Sequence, residues 1–126
     1  MTEIKMSLAS DTAAPTAAVI LDFNSRHKLV EVRLGGAIIL GEHLAALRGF
    51  LKNVTYFPGK QWILQLEKVD DISLRGLHVL IKFAKIIRRR GHIVEIKSIQ
   101  PALHDTLLAF NWCGYFGWKR DADSAN

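Results

Sequence analysis

One stretch in the middle of the chain, Val69 to Gly91, constrains the fold more than any other. Trp62-Ile63-Leu64-Gln65-Leu66 before it has strand composition, Val69-Asp70-Asp71-Ile72 reads as an acidic loop, and from Ser73 the periodicity turns helical for about four turns. Ser73 is placed as a cap, because a serine there accepts a hydrogen bond from a free N–H of the first turn. Asp70 and Asp71 put negative charge near the positive end of the helix macrodipole, and Arg88, Arg89 and Arg90 put cations near its negative end. Gly91 can take the left-handed conformation in which helices often stop. A strand that feeds a helix specified at both ends commits the chain to an α/β construction.

At about 100° per residue the helix has three faces. Leu77, Leu80, Ala84 and Ile87 make a core stripe, with Leu74 and Ile81 at its margin. Arg75, His78, Lys82, Lys85 and Arg89 make a basic stripe. Between the two runs a second apolar row, Val79, Phe83 and Ile86, which a solvated face does not need. Either a neighbouring helix covers that row, or it is an exposed ridge of the composition that protein docking surfaces have.

The flanking segments complete the pattern. Residues 1–17 are small, polar and interrupted by Pro15, and read as a loose leader. The run 18–23 has strand composition, 24–27 turn composition, and Lys28 to Leu34 alternates, which predicts a hairpin. Gly35-Gly36 breaks the pattern, and a short apolar run from Ala37 to Leu40 precedes a helix from about Glu42 to Lys52 with Leu44, Leu47 and Leu51 on one face. Gly49 in that helix hints at close packing or at weak local pressure. His92 to Lys97 alternates as a strand, and Pro101 suits the first position of a last helix that turns Leu103, Leu107 and Phe110 to the sheet. An aromatic segment, Asn111 to Trp118, and a polar tail over 119–126 close the chain.

At 126 residues and 49% hydrophobic the chain can bury one core of its own. The net charge of +5 is concentrated in one helix and so describes a patch, one that an acidic protein, nucleic acid or acidic lipid would match. A single cysteine, Cys113, rules out an internal disulfide and points to a cytoplasmic setting, and no apolar run reaches membrane-spanning length. The histidines, at 27, 43, 78, 92 and 104, are scattered in no metal-binding or catalytic spacing, and no glycine-rich phosphate loop is present. A non-enzymatic domain is expected, with no catalytic residues, metal, cofactor or small-molecule substrate. Nucleic-acid binding through the stripe from Arg75 to Arg90 is a third choice, since no recognised DNA- or RNA-binding motif accompanies the charge.

Ser73-Leu74-Arg75-Gly76-Leu77, after the strand 62–66, resembles the D-S-S-G-L turn that opens a helix in STAS domains, the family of the bacterial anti-sigma factor antagonists. The Gly-Leu pair matches, while Ser73, Leu74 and Arg75 replace the aspartate and the two serines. The order of elements resembles the family across roughly residues 18–117, and the expected domain spans 18–118. The resemblance implies a mixed sheet of about four strands with three main helices packed mostly on one face. It also implies protein partners at the region around helix 73–90: Asp71, Ser73, Leu74, Arg75, His78, Val79, Lys82, Phe83, Lys85 and Ile86. On this reading Phe83 is partly exposed and anchors the partner, and Lys82 and Lys85 steer an acidic surface toward it. Leu74 stands where the family carries its phosphorylatable serine, so phosphorylation falls at most to Ser73. The implied partner is an anti-sigma factor or a kinase-like switch protein, or alternatively the ATPase of a lipid transporter; a homodimer is also compatible.

Overall fold

The computed structural model describes residues 2–7 and 17–118. Six strands and three helices follow in the order β1 (Thr2–Ser7), β2 (Ala17–Asn24), β3 (Leu29–Ile38), α1 (Gly41–Val54), β4 (Gln61–Ile72), α2 (Leu74–Arg89), β5 (Val94–Ile99), α3 (Pro101–Ala109), a single 3-10 turn (Cys113–Tyr115) and β6 (Gly117–Trp118). The sheet keeps sequence order from β1 to β6. Its first three strands are antiparallel, and β3 to β6 are parallel.

Local chemistry explains the joints. In the β2–β3 hairpin, Asn24 Oδ1 accepts from the backbone N–H of Arg26 at 3.1 Å and of His27 at 3.3 Å, and Lys28 turns the chain with φ 53. The three parallel crossovers β3–α1–β4, β4–α2–β5 and β5–α3–β6 move along the sheet in one direction, and such crossovers share one hand, which puts their helices on one face. Alternation in β3 follows: Val30, Val32 and Leu34 are buried, whereas Leu29, Glu31 and Arg33 on the other face are not. One core cluster joins these strand residues to Leu47 and Leu51 of α1, Leu77, Leu80 and Ile87 of α2, and Leu103 and Leu107 of α3.

Several expectations need correction. The sheet has six strands, not about four. The leader expected over 1–17 contains a strand at Thr2–Ser7 that pairs residue for residue with β2, which itself begins at Ala17; 8–16 and the tail 119–126 lie outside the described residues. Gly35-Gly36 does not end β3: the strand continues past it to Ile38, and the mismatch is absorbed as register shifts against β4. Asp70 and Asp71 are the end of β4 rather than a loop, because the extended β3 keeps offering pairing partners as far as Ile38↔Ile72. The fifth strand sits two residues later than the alternation from His92 indicates. Gly49 is exposed with open space around its Cβ position, so close packing does not account for it. Phe110 caps the end of α3, 48% exposed and stacked on Trp112, so it does not face the sheet.

Candidate protein-docking site

The site is built where β3 and β4 end and α1 and α2 begin. The N–H of Ser73 donates to the Ile38 carbonyl at 3.1 Å, which ties the start of α2 to the end of β3. Ser73 Oγ in turn accepts the Gly76 N–H at 3.1 Å, as its cap position requires. Gly76 packs tightly: a Cβ there would lie 2.6 Å from Ile72 Cγ1 and 3.3 Å from Leu44 Cδ2, so the first turns of α1 and α2 touch through a residue without a side chain. At the other end Gly91 has φ +86, with its N–H donating to the Arg88 carbonyl and that of His92 to the Ile87 carbonyl, the paired bonds of a Schellman stop.

The opening of α1 uses a different device. His43 is fully buried, and its Nδ1 accepts the N–H groups of Ile39 at 3.3 Å and Leu40 at 3.2 Å. A side chain of the first turn thus reaches back to the cap backbone, as the reciprocal half of a capping box does. Two acceptances at Nδ1 require the proton to sit on Nε2. With the backbone of Ile39 and Leu40 held from below, their side chains stay exposed, at 39% and 36%, and Leu74 across the joint is 47% exposed. Three exposed apolar side chains, Ile39, Leu40 and Leu74, thus sit at the joint where the end of β3 is tied to the start of α2. Leu74 is among the residues expected at the site, whereas Ile39 and Leu40 are not, their only signal in the sequence being the apolar run just before a helix.

The residues expected to bind a partner divide into three sets. Asp71, Leu74, Arg75 and Lys82 are exposed, and Ser73 and Ile86 are half-buried. His78 and Lys85, also exposed, are engaged by the closing aromatic segment: the His78 ring meets Trp112 edge-on at 5.0 Å, and Lys85 Nζ lies 5.1 Å from the centre of the Tyr115 ring. Arg88 joins the same segment by donating to the Gly114 carbonyl at 2.9 Å. Val79 and Phe83 are buried, which corrects the expectation that Phe83 is a partly exposed anchor. Phe83 is 3% exposed, because its ring turns toward the sheet and meets that of Trp62 of β4 at 6.1 Å and 71°. Arg75 forms no ion pair with Asp70 or Asp71 among the described residues. Both aspartates line a depression on the α3 side, with Gln100 and Thr106. No group of side chains suited to a metal ion occurs among the described residues, and no helix there is long and apolar enough to cross a membrane.

With an ordered sheet of mixed direction, helices on one face and a strand-to-helix turn closed by a serine cap, the chain belongs to the STAS domain family, whose model matches residues 2–122. Among solved structures it is similar to the anti-sigma factor antagonist SpoIIAA in its unphosphorylated form, with a TM-score of 0.61 at 13% identity, covering 81% of this chain and 86% of that one. No curated protein matches the sequence.

Proposed function

We propose that this STAS domain is a non-enzymatic regulatory module that docks an anti-sigma or kinase-like protein through the start of α2, without a serine phosphorylation switch. The observation that carries the reading is the apolar trio Ile39, Leu40 and Leu74, left exposed at the carboxyl ends of two parallel strands and bordered by Arg75. Large apolar side chains grouped at one solvent-facing joint are what a partner covers. A leucine in place of the switch serine keeps that surface permanently apolar, so docking is constitutive. The same constancy favours, as a second reading, stable packing on the ATPase of a lipid transporter. The basic stripe supports phosphate binding less well, because Lys85 and Arg88 are drawn onto the aromatic segment and Arg90 donates to the Thr55 carbonyl.

Affinity capture from the native cell, followed by mass identification, tests the reading. The wild-type chain is expected to retain a defined protein that Leu74→Glu loses, because a carboxylate cannot be desolvated against an apolar partner surface. Equal capture by both chains would place the interface elsewhere.

A further inference from the structure

We propose that the groove between α1 and α2 receives an acidic amphipathic helix of the partner, an inference that rests on the docking reading and names the partner's chemistry. The groove holds about 280 Å³, and its floor is Leu51, Val79, Phe83 and Ile86. Past Arg48, Val79 and Lys82 it runs into a second depression of about 570 Å³ that reaches Leu74 and Arg75. From Leu74 to Ile86 the track follows α2 for about 18 Å, at about 1.5 Å per residue, the length of three helical turns.

Charge selects the guest. The ionisable side chains that line the two depressions are Arg48, Lys52, Arg75, His78, Lys82 and Lys85, with no carboxylate among them. The acidic pair at the start of α2, Asp70 and Asp71, belongs to the depression on the α3 side. A basic rim around an apolar floor fits a guest with one apolar row and carboxylates on its flanks.

The walls select its conformation. Both sides of the groove are helices whose backbone groups are bonded within their own turns, so a guest finds side chains but no backbone donors or acceptors to pair with. An extended peptide would need a sheet edge. A helical guest satisfies its own backbone and lays residues i, i+3 or i+4, and i+7 along the floor.

Fluorescence anisotropy with the full chain provides the test. The probe is a labelled synthetic helical peptide with leucines at that spacing and glutamates on both flanks; the controls are a scrambled peptide of the same composition and one with lysine for glutamate. The ordered acidic peptide is expected to bind saturably, at least about tenfold more tightly than either control. Arg48→Glu with Lys52→Glu, both at exposed positions and verified as folded by thermal melt, should weaken it by about tenfold. Equal binding of the scrambled peptide would reduce the groove to diffuse charge and overturn the proposal. So would binding of phosphatidylglycerol vesicles, sensitive to the same two charges, by a chain that ignores the ordered peptide. The cellular partner separates the two readings. If Leu74→Glu releases it and the Arg48/Lys52 reversal does not, the groove assignment fails while docking at the start of α2 stands; if neither releases it, both fail.

Discussion

At the scale of single residues, the start of α2 turns on what its hydroxyl and its leucine can do. Ser73 spends its Oγ on the Gly76 N–H, and Leu74 offers no hydroxyl at all. A phosphate on Ser73 would displace the cap from its half-buried seat. The protein is therefore expected to keep its unmodified mass after incubation with a serine kinase of the switch type, and one added phosphate per chain on Ser73 by intact mass spectrometry would refute this. His43 shows how much a single residue can hide from sequence reading. In the sequence it is one of five histidines in no metal-binding or catalytic spacing, yet its ring is the acceptor for two backbone N–H groups at the opening of α1. Nothing in its neighbours announces that role, because the bond depends on a buried ring reaching backward by three and four residues. Ser73, by contrast, belongs to the small set of residues that cap helices by their own chemistry, and was legible for that reason.

Among the elements, α2 was legible from end to end because its signals are local: cap, periodicity and glycine stop. The second apolar row was not, because Val79, Phe83 and Ile86 have the same spacing whether α1 or a partner covers them. The structure gives Val79 and Phe83 to the interior, with only their edges reaching the groove between α1 and α2, so truncation at Phe83 removes mainly core. Phe83→Ala is expected to cost about 3–5 kcal/mol of stability, read as a shift in the denaturant midpoint. A loss below about 1 kcal/mol would return the ring to the surface. The length of β4 was misjudged for a related reason. Asp70 and Asp71 have loop composition, and only pairing with the continuation of β3 beyond Gly36 keeps them extended.

For the molecule as a whole, the first strand was the least legible part, since β1 is recognised as a strand only through β2, from which 8–16 separate it. Its composition alone reads as a tail. In the sheet it shields the outer edge of β2, and open strand edges pair with other chains. Deleting residues 1–16 is expected to lower the melting temperature and to produce concentration-dependent self-association by analytical ultracentrifugation; a monomeric variant of unchanged stability would show that β2 needs no cover. The strict order of the strands also bears on how the protein comes into being. Each strand docks on the one made just before it, so no segment must wait for a distant one to leave the ribosome. The hairpin can serve as a template while α1 and β4 are still being synthesised, and each later strand–helix unit adds to the newest edge as it emerges. After α3 comes the segment that leads through the 3-10 turn to β6, and it clasps the basic flank of α2 through Trp112, Gly114 and Tyr115. That flank is thus engaged only after the aromatic segment has been made, and until then a nascent chain presents cationic side chains that the folded domain puts to use.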